Sequence, residues 1–312
     1  MARLIKKIKT ALSLLLLFVS LSASSQQTYD INGLRDLTNY WEINGTIGAN
    51  AFLGDLGGNL GIGRDLLKDY MLKTNRLLWG LSGTYNVNNY FAVNFGFNIT
   101  KVVGVDSFIH NAGGMERWRW YRNLSFRSNI QEAYASFTFY PIMYLHRKKI
   151  ELHRWDPFIS SGIGVMHFNP QTYYNGQWVN LKPLHLEGEG FAEYPDRKPY
   201  SLVKIYVPLD LGVKYYFNNK WALAGGVASR LSFTDYIDDI HTTYIDPNLF
   251  YKYLGPDKAY LASQLYSRSR TPWKVRPDIA KADNTDNDSY VTFYLRLSIR
   301  LDKYTPFYYP RL

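Results

Sequence analysis

Val291-Thr292-Phe293-Tyr294-Leu295-Arg296-Leu297-Ser298-Ile299-Arg300-Leu301 is apolar at every odd position, while Thr292, Tyr294, Arg296, Ser298 and Arg300 fill the even ones. An extended strand sends successive side chains to opposite faces, so this stretch has one oily face and one wet face. Working outward, the same period of two governs residues 41–53, 91–100 and 205–215, and weaker versions occupy 77–85, 133–139, 159–165 and 221–233. A soluble sandwich and a membrane barrel share this pattern, with the oil turned inward in one and outward in the other. Length favours the barrel, because runs of about 10–13 residues match a tilted membrane-crossing strand, whereas soluble strands average about 5–6. The wet faces mix Gly, Ser, Thr and Asn with charges, as a narrow filled lumen requires. Connections alternate too: 86–90 and 217–220 are short, and their counterparts are long. The expectation is an all-β, eight-stranded antiparallel transmembrane outer-membrane barrel, with long extracellular loops and short periplasmic turns. At eight strands the interior is filled by side chains, and no open pore is expected.

The rest of the 312 residues fit that frame. Arg3, Lys6, Lys7 and Lys9 precede an apolar run at 11–21 and a small-residue stretch at 22–25, the three parts of a secretory signal. The apolar run is too short to span a bilayer as a helix. The expected division is therefore a cleaved signal at 1–25, a periplasmic segment at 26–39, a barrel at 40–301 and a periplasmic tail at 302–312. Cleavage lowers the formal charge from +10 to +6. With no cysteine in the chain, disulfide scaffolds and thiolate metal sites are excluded. Export also makes nucleic acid a poor partner, and an outer membrane of a Gram-negative bacterium is the expected destination. Aromatic residues are 17% of the chain. Trp41, Tyr85, Phe91, Tyr140, Tyr215, Phe217 and Trp221 sit at strand ends near the short turns, and Trp79, Phe168 and Phe233 at the opposite ends, where interfacial belts form.

Candidate sites fall in three zones. Glu42, Glu132, Lys204, Asp210, Lys214, Arg230, Arg296 and Arg300 occupy inward positions, and buried charges persist when paired. Glu42 is expected to meet Arg296 or Arg300 across the seam of first and last strands. On the outward side, Arg117-Trp118-Arg119-Trp120-Tyr121-Arg122 could rest on lipopolysaccharide phosphates through Arg117, Trp118, Arg119 and Arg122. On the periplasmic side, residues 141–156 carry Arg147, Lys148, Lys149 and Arg154, and the tail carries Tyr308 and Tyr309; these are the expected partner contacts. Two weaker chemistries have some of the residue types they need. Ser232, Asp235, Asp238, Asp239 and His241 hold the residue types of a nucleophile, base and orienting carboxylate, and His167 stands near Ser161, but no nucleophile elbow or His-Glu-x-x-His motif supports either. Residues 283–288 offer oxygen ligands for calcium without the EF-hand spacing. No metal, cofactor or enzymatic activity is expected.

Several stretches together resemble one family. They are Gly54-Asp55-Leu56-Gly57, the run Gly162 to Pro170, Asn175-Gly176-Gln177-Trp178-Val179, Leu184-His185-Leu186-Glu187-Gly188-Glu189-Gly190, Gly212-Val213-Lys214-Tyr215, and Phe233-Thr234-Asp235-Tyr236-Ile237-Asp238-Asp239. In this order they are similar to the PorG-like outer-membrane barrels associated with type IX secretion. The likeness runs from about residue 40 to 301 and is most specific over 157–246; the long connection at 247–288 is not part of it. The resemblance implies a noncatalytic barrel that anchors the secretion machine through a periplasmic ring of lipoproteins. The alternatives are a stand-alone structural or adhesive surface barrel that binds lipopolysaccharide or host surfaces, and a lipid-modifying barrel enzyme.

Overall fold

The computed structural model describes residues 39–54, 56, 74–108, 117–145, 154–218, 220–272, 275–282 and 287–301. The signal region, Arg147, Lys148, Lys149, residues 283–286 and the tail with Tyr308 and Tyr309 lie outside the described residues. Nine strands form among the described residues: β1 Tyr40–Leu53, β2 Arg76–Asn86, β3 Phe91–Val105, β4 Ser125–Phe139, β5 Trp155–Tyr174, β6 Gln177–Asn180, β7 Val203–Tyr216, β8 Trp221–Ser232 and β9 Ser289–Arg300. Eight of them make the wall, in the order β1-β2-β3-β4-β5-β7-β8-β9, and the ring closes where β9 pairs antiparallel with β1, Arg300 opposite Glu42. The remaining strand, β6, is the return arm of a hairpin that extends β5 beyond the wall. Asn175 and Gly176 both have positive φ (47° and 81°), the turn that an Asn-Gly pair favours between two strands.

The two short periplasmic turns are built alike. In 87–90, the Asn88 side-chain oxygen accepts the Tyr90 and Phe91 amides at 3.0 and 2.8 Å. In 217–220, Asn218 does the same for Lys220 and Trp221 at 2.8 and 2.9 Å. An Asn side chain that satisfies two amides replaces the ladder bonds lost at the reversal.

Large apolar side chains stay exposed along mid-strand outward positions: Ile43 and Ile47, Leu81, Phe95 and Phe97, Ile163 and Val165, Leu295 and Leu297. Leu81 keeps 65% of its surface bare. A ring of such residues around a closed sheet is a lipid-facing belt, since closure leaves no unpaired edge for the bilayer to meet. Trp41, Phe217 and Trp221 mark its lower edge and Trp79 and Phe233 its upper one, all exposed. Tyr140 and Phe168 correct the expected belt, because both are buried. Phe168 is an even-numbered residue of β5 and faces inward, where it stacks on Tyr200 at 6.3 Å. Tyr140 follows the end of β4 and lies 6.0 Å from Phe158.

Above the belt the phase of the alternation inverts. On β4 the outward positions become Arg127, Asn129 and Gln131, while inward Phe126 and Ile130 are buried. Those two join Phe52, Val102, Met166, Phe168, Tyr206, Ile237 and Tyr290 in an apolar core at the outer mouth. Polar head groups and water replace acyl chains outside at that height, so the protein reverts to the ordinary arrangement of oil within. The lower end is closed by a second core, in which Met143 of a short helix, α1 (Pro141–Leu145), packs with Tyr140, Phe158, Ala224 and Tyr294.

One wall position has no tolerance. A β-carbon built on Gly162 of β5 would lie 2.0 Å from the Ala135 carbonyl oxygen and 2.6 Å from the Ser136 α-carbon. Both are backbone atoms of β4 and cannot move aside without breaking the ladder. Nearby the β5–β7 ladder runs Ser161 opposite Leu209 and resumes at Gly164 opposite Tyr206. The interval faces Pro208, which has no N–H to give. Gly162→Ala should cost at least about 3 kcal/mol, the upper range for overpacking. Loss of the compact, heat-sensitive band on an unheated gel would register it, and a variant that migrates as the parent would refute it.

Candidate functional site

Three tiers of paired charge fill the lumen. At the bottom, Lys214 Nζ of β7 donates to both Glu42 carboxylate oxygens at 2.7 and 2.6 Å. In the middle, Asp210 accepts Arg296 Nη2 at 3.1 Å and the Tyr294 hydroxyl at 2.6 Å. At the top, Glu132 accepts Arg230 Nε at 3.2 Å, the Asn98 amide at 2.8 Å and the Tyr290 hydroxyl. Arg230 also donates to Thr292 Oγ1 at 2.8 Å. The expected Glu42 contact with Arg296 or Arg300 is corrected: Glu42 is held by Lys214. The reason lies in β8, whose inward residues are Ala222, Ala224, Gly226 and Ala228, leaving room for long side chains of β7 to reach across the lumen. Arg296 turns to Asp210 through that space, and the Arg300 guanidinium lies 4.0 Å over the Tyr40 ring. Lys204 is half-buried and makes no ion pair among the described residues. A cavity of about 40 Å³ survives, lined in part by Asn94, Asp210, Arg230 and Arg296. That is room for a few water molecules, not a passage.

The outer mouth is closed by the loops. The fourth, 234–288, carries helices α2 (Asn248–Tyr253) and α3 (Pro256–Leu265). These pack with Leu181, Leu184, Leu186, Phe191 and Ile245 into a core of their own. Cap and barrel meet at a buried polar node. Glu187 accepts the backbone amides of His241 and Thr242 and the Thr242 hydroxyl, at 2.8–3.2 Å, with Lys281 Nζ at 3.4 Å. The Tyr200 hydroxyl donates to Asp239, and Asp238 accepts the Leu56 and Ile240 amides at 3.2 and 3.0 Å. Arg197 Nη1 donates to the Glu187 carbonyl at 2.7 Å, and its Nη2 to Thr243 Oγ1 at 2.7 Å. Burial, with Glu187 beside it, pushes the Glu189 carboxyl up to about 7. Asp239 is raised well above the usual carboxylate range by burial and by Glu189. Burial works against the Lys281 ammonium, yet Glu187 and Asp239 hold its pKa above the ordinary lysine value.

The residue types that could make a catalytic constellation at this mouth have other partners. Ser232 Oγ donates to the Thr234 and Asp288 carbonyls, while His241 Nδ1 pairs with Asp235 Oδ2 at 2.7 Å. Asp238 and Asp239 are spent on Leu56, Ile240 and Tyr200. Ser161 and His167 lie six residues apart on one strand, about 20 Å, too far to meet. Among the described residues no group of three or more His, Asp or Glu could hold a metal ion.

The basic-aromatic stretch forms a one-and-a-half-turn helix, Arg117–Arg122, whose inner half is structural. Arg122 forks onto Asp106 at 2.8 and 3.0 Å and also donates to the Lys281 carbonyl at 2.6 Å. Trp120 lies 4.0 Å beneath the Arg270 guanidinium. That corrects the expectation for Arg122, which has no fork left for a lipid phosphate; Arg117 and Trp118 remain exposed and Arg119 half-buried. Arg154, on the opposite rim, is exposed.

A closed ladder, an apolar belt and a plugged bore decide the class. The chain is an outer-membrane β-barrel. No family model matches its sequence, and no curated protein matches it. Among solved structures it is similar to the N-terminal barrel domain of Pseudomonas aeruginosa OprF, at 9% identity over 85% of this chain and 98% of that one, TM-score 0.32. Neisserial surface protein A gives 9% identity over 84% and 97%, TM-score 0.37. OprG of Pseudomonas aeruginosa gives 11% over 88% and 100%, TM-score 0.34. Values this low add nothing to what the barrel's own ladder already states.

Proposed function

We propose that this barrel is a noncatalytic anchor, and that it serves as a PorG-like component of the type IX secretion machinery through periplasmic contacts with ring lipoproteins. The supporting observation is the convergence of the stretches that carry the resemblance. Glu187 from 184–190 and Asp238 and Asp239 from 233–239 meet at a buried node that ties cap to barrel. A filled lumen argues in the same direction, since a bore blocked by three ion pairs suits a fixed membrane anchor better than a conduit. Periplasmic contacts would then fall to the rim around Arg154 and to the basic turn and tail, with Arg147, Lys148, Lys149, Tyr308 and Tyr309.

The test is a clean deletion with the secreted proteome as readout, combined with crosslinking of the tagged barrel in intact cells. Loss of secretion and recovery of periplasmic lipoproteins on the barrel are the expected results. Normal secretion with no such crosslink would dismiss the secretion role and leave a structural or adhesive barrel.

A further inference from the structure

We propose that the outward face of β3, β4 and β5, immediately above the apolar belt, binds the phosphates of outer-leaflet lipid A. This rests on the membrane placement of the barrel and is independent of the secretion role.

Three successive outward-facing rungs of the wall define the patch. Ile99, Gln131 and His167 are paired in the lowest, Lys101, Asn129 and Asn169 in the next, and Val103, Arg127 and Gln171 in the third. The belt's lower edge on the same strands is the rung Phe91, Phe139 and Ile159. Ten residues separate that rung from the one with Lys101 on each strand. At about 3.3 Å per residue and a tilt near 40°, the rise is about 25 Å, the height of the apolar band of such barrels. Lys101 and its neighbours therefore stand at the upper head-group level. Exposed Trp79, paired with Ile99 on the lowest rung, marks the same level as an interfacial aromatic.

The chemistry of the patch has one sign. No carboxylate occupies an outward position on β3, β4 or β5, and the outward basic groups are Lys101, Arg127 and His167. Lys101 is exposed and its ammonium has no partner among the described residues. Arg127 is held in place: its Nε donates to Gln171 Oε1 at 2.9 Å, and its guanidinium lies 3.6 Å over the Trp178 ring. Gln171 and Asn169 are themselves fixed by Asn180 Oδ1, at 2.7 and 3.0 Å. That leaves the two terminal nitrogens of Arg127 as a preset fork, the geometry that suits a phosphate. Lys101 is a diagonal neighbour of Arg127 across the β3–β4 ladder, about 7–8 Å at the backbone, so both side chains can reach one phosphate. Basic clusters at head-group height recognise anionic lipid heads.

The test uses the full chain purified in detergent, incubated with bis-phosphorylated lipid A or with lipid A stripped of its phosphates, and read by native mass spectrometry. The parent should retain the phosphorylated lipid about tenfold or more over the stripped one, and Lys101→Arg should keep that preference. Lys101→Gln combined with Arg127→Gln should reduce it to the stripped level. Lys101→Gln alone, at an exposed side chain that supports no other residue, should lose a substantial part and guards against a folding artefact. Equal retention of the two lipids by the parent, or an undiminished preference in the Gln variants, would overturn the proposal.

Discussion

Glu132→Leu should destabilise the barrel by about 3–5 kcal/mol, the cost of stranding one member of a buried ion pair. Glu132 is fully buried in the lumen and collects Arg230, Asn98 and Tyr290. Without it, the Arg230 guanidinium stays enclosed with Thr292 and a carbonyl as its remaining acceptors. Adding Arg230→Met should recover most of the loss, because the pair's own net contribution against an apolar replacement is small. The measurement is the guanidinium midpoint of the protein folded in lipid vesicles, for both single variants and the double. If the double variant is as unstable as the singles together, the lumen pairs are not coupled in the way described. The same experiment on Lys214 and Glu42 should behave alike, since both are buried and ion-paired.

The wall was legible wherever lipid touches it. In β1, β3, β7 and β9 one face meets acyl chains and the other the lumen, so period two persists over ten residues or more. The alternation in β4 is visible from Ala133, yet the strand starts at Ser125. Between those points Phe126 and Ile130 point inward and Arg127 and Gln131 outward, so the phase opposes that of the membrane portion and the pattern cancels when both are read together. β5 shows the same effect: residues 159–165 stood out, whereas the strand continues to Tyr174. Asn175-Gly176 is a hairpin signal in its own right, but β6 is only four residues long and too polar to show alternation, so periodicity does not reveal the β5–β6 hairpin. In the lumen, the identity of the charged residues was readable and their partners were not. Partner choice depends on which wall residues are small, and Ala224 and Ala228 of β8 decide it by what they leave empty. Sequence could place Ser232, Asp235 and His241 near one another, but not reveal that backbone groups and a neighbouring carboxylate already occupy them.

The cap should loosen as pH rises from about 4.5 to 7. Glu189 carries the argument, because its carboxyl is raised from an ordinary value of 4.5 to about 7 by burial and by Glu187. A cap that opens exposes this group to water and lets it ionise near 4.5, so the closed form binds more protons between those two values. Closure is therefore most favoured below about 4.5 and loses ground as pH climbs to 7, after which the dependence levels off. The full swing from this residue is about 3 kcal/mol. Asp239 is shifted in the same direction and adds to the slope. Lys281, raised by Glu187 and Asp239, stays charged across the whole window and contributes none. Tyr200 and Tyr236, pushed above the ordinary tyrosine value chiefly by burial, are likewise silent there. Hydrogen exchange at the His241 and Thr242 amides, both donors to Glu187, reads the opening directly. Corrected for intrinsic rates, their protection should fall more than tenfold from pH 5 to pH 7. Glu189→Gln should flatten most of that slope, since it removes the titrating group and also relieves Asp239 of its neighbour. An unchanged slope in that variant would place the titration elsewhere in the cap, and a flat parent profile would mean the node is not what holds the loops shut.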